Sequence, residues 1–260
     1  NNMQKGLSEY SPGANTAVES ANKALMAIGV LIILILFFLE MASWYKFIRN
    51  QGGDVTWRLF LEIGIKYVIA LFLCYNSAKI FDAIIWVCNA MAHLVGSTSV
   101  ADVFKWENGK KGNFFIKIFV NILCTLVGGI TVLSTNLITL LRFIEMYLLK
   151  GIAPIIVAFF MNDGTRDIAI GFFKRCGAIA LQGVVIVLLF VVWSGINADS
   201  LITIDKGSWL GDFVAGFTYL GKCIVFLVML FGSQRMAKSL LQVNLSLIHI
   251  SEPTRQEAIS

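Results

Sequence analysis

The residues in this sequence whose types could do chemistry are charged side chains that stand inside apolar runs. Arg142, Glu145 and Lys150 lie close together in one run, and Lys222 lies near the middle of another. A charge at the centre of a membrane helix costs roughly 2.5 to 3.5 kcal/mol on insertion scales, so each needs a partner or a wet surface. This pattern predicts ion pairing in an intramembrane polar network between helices or subunits. The candidates for that network are Arg142, Glu145, Lys150, Lys222, Glu40, Asp82 and Lys117.

The pairing inside this network is only partly readable from spacing. Arg142 and Glu145 are one helical turn apart and close enough to pair within one helix. Lys222 has no acidic neighbour in the sequence. Its partner could be Glu40, Asp82 or Glu145, and the sequence does not choose between them.

A helix break is expected just beyond Lys150. Gly151 lowers helix propensity, and Pro154 removes a backbone N–H and clashes with the preceding turn. Broken helices near mid-membrane are also where transporters bind substrates or coupling ions. The break at Gly151 and Pro154 therefore carries an alternative hypothesis, that the protein is a small-solute transporter or an ion channel.

The sequence lacks the usual catalytic and cofactor motifs. It contains no Walker loop, no G-x-S-x-G, no H-E-x-x-H and no Cys/His cluster. The five cysteines all stand in apolar runs without metal-ligand spacing. We therefore expect no enzymatic activity, no cofactor and no metal.

The elements that position these charges are membrane helices. Hydrophobic residues make up 57% of the chain and charged residues only 14%, and soluble domains are more polar than this. The apolar runs are continuous rather than alternating, which excludes a β-barrel. The sequence thus predicts an all-α, polytopic transmembrane bundle of about seven helices, within a range of five to seven.

Seven spans follow from the rule that a helix needs about 20 apolar residues to cross the hydrocarbon core. A polar, extracytoplasmic N-terminal segment at 1–23 precedes a transmembrane domain at 24–240. The hydroxyl and amide residues Ser134 to Asn136 are interpreted as a turn, although a re-entrant hairpin there would also fit. The predicted spans are 24–44, 57–76, 80–96, 114–133, 137–161, 176–195 and 213–232.

Loop charges predict the orientation, because Lys and Arg are retained in the cytoplasm. With seven spans, the basic loops fall on one side, so the N-terminus is predicted outside and the C-terminus inside. These loops could dock ATPases, anionic lipid or the DNA backbone, although setting topology is explanation enough for them. The cytoplasmic basic residues are Lys105, Lys110, Lys111, Arg166, Lys174 and Arg175.

The last sixteen residues do not look like part of the protein. The segment 245–260, LSLIHISEPTRQEAIS, resembles the in-frame translation of a transposase adaptor used in sequencing libraries. We expect this tail to be non-native and leave it out of the fold argument.

Several segments together resemble a known family. The first span ends in FFLEM, the third is preceded by NSAKIFDAI, and the centre reads RFIEMYLLKGIAPIIVAFF, followed by a loop with Thr165 and then FFKR. These segments resemble the polytopic inner-membrane subunit of type IV secretion and conjugation systems, of the VirB/TrbL type, in the form found in Gram-positive conjugative elements. The resemblance covers roughly Ala17 to Leu240 and rests on hydrophobic pattern more than on an invariant motif.

The resemblance implies a channel or scaffold subunit that is assembled in several copies in the bacterial cytoplasmic membrane. Such a subunit helps to pass single-stranded DNA with its attached relaxase, or protein substrates, across that membrane. Energy would come from partner ATPases. A membrane assembly factor without a conduit of its own is the other alternative, beside the solute transporter or ion channel.

Overall fold

The computed structural model describes residues 5–51, 57–96, 114–162, 164–198 and 211–241. These residues form seven α-helices and a 3-10 turn and contain no strand, which confirms the all-α prediction. The adaptor-like tail and the basic residues Lys105, Lys110 and Lys111 lie outside the described residues. The helices are α1 (Leu7–Tyr10), α2 (Pro12–Gln51), α3 (Trp57–Tyr75), α4 (Ser77–Val95), α5 (Phe114–Ala158), α6 (Arg166–Ala198) and α7 (Gly211–Leu240), and the 3-10 turn at Phe159–Met161 follows α5.

Five helical stretches are long and apolar enough to cross a membrane. Large apolar side chains cover their outer faces, as Leu31 does on α2 and Phe119 on α5. Only lipid solvates such a surface well, and a helix satisfies its backbone polar groups internally. The chain is therefore a multi-pass membrane protein. The five stretches are Pro12–Asn50, Ser77–Val95, Lys117–Ala158, Arg166–Ile196 and Val214–Leu240.

The predicted turn at Ser134 to Asn136 is wrong, because α5 runs through it without a break. The hydroxyls of Thr131, Thr135 and Thr139 each donate to the carbonyl four residues earlier, at 2.9 Å. They satisfy themselves within the helix instead of turning the chain. The predicted fourth and fifth spans are thus one helix of 45 residues. At 1.5 Å per residue it is about 68 Å long, more than twice the thickness of a hydrocarbon core.

This single helix also bears on the predicted orientation. Phe114 and Ala158 are the first and last residues of one continuous helix. The segments before and after α5 are therefore attached to its opposite ends. The prediction that the basic loops on both sides share the cytoplasm depended on two crossings here. The continuous helix removes that support, and the orientation stays a prediction.

The gap between the predicted second and third spans, at 77–79, is helical instead of a turn. Lys79 lies in the first turn of α4, and α3 and α4 are separated by Asn76 alone. The Asn76 N–H donates to Phe72 O at 3.1 Å, and the Ile80 N–H donates to Asn76 O at 2.9 Å, so helical hydrogen bonds cross the junction. The predicted second and third spans therefore lie end to end rather than folding back.

Together α3 and α4 run antiparallel to α2. Lys66 on α3 pairs with Glu40, and Cys74 lies against Gly29 further back along α2. Asp82 on α4 reaches the level of Glu19, since both carboxylates bind the same lysine. The α3 and α4 helices, lying end to end, thus run alongside most of α2.

The central position belongs to α5, which contacts α2, α3, α4, α6 and α7. Three buried apolar clusters lie along it. One joins α6 and α7 around Phe190 and Phe226. The second joins α1, α4, α5 and α6 around Phe143, and the third joins α2, α3 and the end of α5 around Ile33. Because α5 runs through all three clusters, it determines which residues of the other helices can meet.

Replacing Asn136 with proline tests the continuity of α5. Asn136 is exposed in the middle of the helix, so a proline there removes a hydrogen bond and clashes with the preceding turn, at a cost of about 3 kcal/mol. We expect Asn136→Pro to lower the thermal midpoint of the detergent-purified protein strongly and Asn136→Ala to leave it nearly unchanged. A turn at this position would tolerate proline, so equal midpoints would contradict the continuous helix.

Candidate functional site

A buried lysine on α5 joins three helices. The Lys150 side chain is 1% exposed, and its Nζ donates to Asp82 Oδ2 at 2.9 Å, Asn15 Oδ1 at 3.0 Å and Glu19 Oε1 at 3.2 Å. Asn15 also donates through Nδ2 to Glu19 Oε1 at 2.9 Å. An ammonium group has three donors, and these three acceptors use all of them. The lysine thereby ties α2 and α4 to the central helix.

The backbone of Lys150 is satisfied just as specifically. Pro154 has no N–H, so the Lys150 carbonyl loses the partner that a regular helix would give it. Asn22 on α2, 2% exposed, supplies the missing donor through Nδ2 at 2.7 Å. The expected helix break at Gly151 and Pro154 is therefore absent: a neighbouring helix supplies the missing donor, and α5 continues to Ala158.

The close approach of α2 to Pro154 depends on a glycine. A Cβ on Gly29 would lie 2.7 Å from Pro154 O. The thiol of Cys74 on α3 approaches the same carbonyl at 3.6 Å. Small residues at such crossings let membrane helices approach closely and share hydrogen bonds.

The start of the described chain lies over this site. The Tyr147 hydroxyl donates to Leu7 O at 2.6 Å, and Asn89 Nδ2 donates to Lys5 O at 3.0 Å. Tyr10 stacks on Phe143, with ring centroids 3.7 Å apart. The segment predicted as a polar tail is therefore helical from Pro12 onward and packs on α4 and α5. The side of the membrane on which it lies stays a prediction.

An open polar cavity of about 590 Å³ lies beside the lysine, between the start of α2 and α4. The charged residues in its lining are Glu9, Glu19, Asp82 and Lys150. Carboxylates therefore outnumber lysines, and Lys150 is already paired with two of them. The side chains of Glu19 and Asp82 are 44% and 46% exposed, and both face this space. The other lining residues are Gly6, Leu7, Ser8, Asn15, Ile85, Trp86, Asn89, Ala90 and His93.

Arg142 forms a second buried polar contact between helices, here α5 and α6. The Lys150 contact and the Arg142 contact are called the two locks below. It is 3% exposed, and it donates through Nε to Ile179 O at 3.0 Å and through Nη2 to Ala180 O at 3.2 Å. Its guanidinium occupies the space over Gly183, where a Cβ would collide with it. Arg142 therefore lies about two helical turns from Lys150 on α5 but joins a different pair of helices.

The remaining predicted network residues are spread over the bundle. Glu40 binds Lys66 at 2.9 Å and the Tyr67 hydroxyl at 2.5 Å, far along α2 from Lys150. Two of the three partners suggested for Lys222 are thus engaged elsewhere, and no described ion pair includes Lys222, which is half-buried on α7. Glu145 and Lys117 are half-buried on α5. The basic residues Lys174 and Arg175 lie in α6, and Arg166 at its start stacks over Phe160.

Sequence reasoning missed the residues of α2 that complete the site. Asn15, Glu19 and Asn22 are spaced by four and three, so they share one helical face, and this spacing could have identified them. They were interpreted as part of the polar N-terminal segment at 1–23 because they precede the first apolar run.

No family model, curated protein or solved structure matches this chain. Within the part of the chain that the structure describes, no cluster of three or more His, Cys, Asp or Glu could hold a metal ion. The polar side chains of this site hold helices together through Lys150 and Arg142, and they line an open cavity that can take up polar or charged groups.

A double-mutant cycle tests the repair of the Pro154 break. In the native chain, Asn22→Ala leaves the buried Lys150 carbonyl without a donor and should cost about 1 to 3 kcal/mol of stability. In a Pro154→Ala background, the new N–H at 154 bonds that carbonyl, and the same Asn22→Ala change should cost about 1 kcal/mol less. Thermal unfolding in detergent gives both values. Equal costs in the two backgrounds would show that Asn22 does not replace the missing N–H.

Gly183→Ala tests the Arg142 lock. The added methyl displaces the guanidinium from its carbonyl acceptors, and overpacking of this kind costs about 1 to 3 kcal/mol. Gly171→Ala on the same helix is the matched control, because nothing lies within 4 Å of its Cβ position. We expect the control to keep or slightly raise the thermal midpoint and Gly183→Ala to lower it. A midpoint that is the same for both variants would contradict the assignment.

Proposed function

We propose that this protein is a channel or scaffold subunit of a type IV secretion or conjugation machine, present in several copies in the bacterial cytoplasmic membrane. We do not carry the predicted orientation, N-terminus outside and C-terminus inside, into this proposal. Leu7 packs in one cluster with Cys176, and Leu241 lies beside Gly177, so both ends of the described chain lie at one level of the bundle. Single-stranded DNA with its relaxase, or a protein, is the substrate class. Partner ATPases supply the energy, because the sequence itself carries no Walker loop.

The observation that carries the proposal is the place of the longest segment among those that resemble the family. That segment, 142–160, contains both locks and the Pro154 carbonyl. It is the part of α5 on which α2, α3, α4 and α6 converge. A segment that organises the whole subunit is the one that relatives sharing the same bundle would retain, which supports the resemblance as a likeness of architecture.

The polar interior and the apolar exterior support the same function. Large exposed apolar side chains follow α2, α5 and α7, which suits helices that face lipid or other copies. The carboxylate-lined cavity beside Lys150 gives the subunit a wet surface in an otherwise apolar bundle. A scaffold around a polar passage needs both features.

A second candidate is a small-solute transporter or ion channel. The observation that favours it is the cavity of about 590 Å³ next to Lys150 and the proline-containing stretch of α5. Transporter sites have this combination of a broken helix and polar groups near mid-membrane. Here, however, the break is closed by Asn22, and α5 remains helical through it.

Transfer frequency in donor cells tests the proposal. A donor whose copy of this gene is deleted should lose transfer of the conjugative element, and the native gene supplied in trans should restore it. Lys150→Met should fail to restore transfer, because it leaves Glu19 and Asp82 uncompensated. Lys79→Met, an exposed lysine on α4, is the matched control and should restore it.

Three results would decide against the proposal. Normal transfer from the deletion strain would exclude an essential role in conjugation. Potassium flux into proteoliposomes that contain the purified protein alone would favour the ion channel. A protein required for transfer that never crosslinks to DNA or protein in transit would instead be an assembly factor.

A further inference from the structure

Two surfaces of opposite charge lie at the same level of the bundle. The first, the acidic face, is the opening of the cavity between α1, α2 and α4, with Glu9, Glu19 and Asp82 in its lining. The second, the basic face, lies where the beginning of α6 meets the end of α7. They share a level because Leu7, which lines the cavity, packs in one cluster with Phe172 and Cys176 of α6.

The basic face is built by two helices. A Cβ on Gly177 would lie 3.1 Å from the Leu241 side chain, so the end of α7 lies beside this turn of α6. Arg175 and Arg235 are exposed, and Lys174 and Lys238 are half-buried. No acidic residue occurs between 171 and 183 or between 232 and 241, so these four cations have no carboxylate neighbour on their own helices.

The acidic face keeps an excess of negative charge. Its lining holds three carboxylates against one lysine, and Lys150 is already shared between Glu19 and Asp82. Glu9 is exposed, and its carboxylate accepts a long hydrogen bond of 3.3 Å from the Gly6 N–H. Lys23 lies close enough to Glu19 to interact with it electrostatically, and Lys5 lies at the start of the described chain, but neither lysine lines the cavity.

The two faces lie on different sides of the central helix. Around α5, α4 packs against α6, and α6 packs against α7. The cavity lies between α4 and the start of α2, away from α7. A single copy therefore does not bring its own two faces together. Two copies side by side in one membrane hold both faces at the same depth, which is the condition for them to meet.

We propose that copies of this chain assemble head to tail, with the basic face of one copy against the acidic face of the next. The inference rests on the proposed function in one respect, the presence of several copies. A contact between two different patches is heterologous, and it closes into a ring when the rotation allows. Complementary charge sets the register of such a contact and disfavours like faces. Glu9 and Arg175, both exposed and at the level of Leu7 and Cys176, form the central pair.

Paired cysteine variants test this arrangement. Glu9→Cys and Arg175→Cys are expressed with different affinity tags, alone and together, in native membranes, and then oxidised. A head-to-tail contact gives a disulfide-linked dimer carrying both tags only when the two variants are mixed. The five native cysteines are buried and give little background. Glu62→Cys with Arg175→Cys is the control pair, because Glu62 is exposed on α3, away from both faces, and it should not crosslink.

Charge exchange tests the electrostatic part in the protein without added cysteines. Arg175→Glu should weaken self-association about tenfold, and Glu9→Arg in the same chain should restore it, because the pair is then reversed. The thermal midpoint of each variant shows that the bundle still folds. Self-association that is equally strong in all variants would overturn the charge pairing.

Other outcomes separate this inference from the proposed function. Multi-copy particles that lack the mixed crosslink overturn the head-to-tail contact and leave the conjugation subunit standing. Monomers in native membranes overturn both the contact and the multi-copy scaffold. Binding of the basic face to vesicles of anionic phospholipid, with no mixed crosslink, overturns the contact and assigns that face to lipid headgroups.

Discussion

A lysine ammonium between apolar helices destabilises the bundle unless all its hydrogen-bonding capacity is used. Lys150 meets that constraint with acceptors from two other helices, and its carbonyl receives the donor that Pro154 cannot supply. The side chain and the backbone of one residue therefore fix α2 and α4 against α5. The other contacts of the N-terminal segment, such as that of Tyr147 with Leu7 O, follow from where α2 begins.

The buried Arg142 must also use its hydrogen-bond donors, and it does so with backbone carbonyls as acceptors. Its guanidinium binds carbonyls of α6 and takes the space that Gly183 leaves empty. A guanidinium has more donors than an ammonium and arranges them in a planar fork, which suits two adjacent carbonyls on one helix. The two locks lie close together on α5 and point to different neighbours, so this helix serves as the axis of the bundle.

This arrangement gives the protein a polar middle and an apolar exterior. The paired lysine leaves half-exposed carboxylates at an open cavity, while the outer faces of the helices carry large apolar side chains. Such a distribution suits a subunit whose apolar faces meet lipid or neighbouring copies. The same level carries cations on α6 and α7, so the polar groups that stabilise one copy also give it two distinguishable sides.

The sequence by itself determined the membrane class, the all-α fold and the missing backbone N–H at Pro154. Apolar runs are local properties of the chain, and a missing N–H is covalent, so neither depends on what packs nearby. Only the tertiary structure decided whether Ser134 to Asn136 turns, because hydroxyl and amide side chains can bond within a helix or end one. It also decided the partners of Lys150, which lie 68 and 131 residues away along the chain. Such pairs depend on how separate helices pack, which the spacing along one helix does not specify.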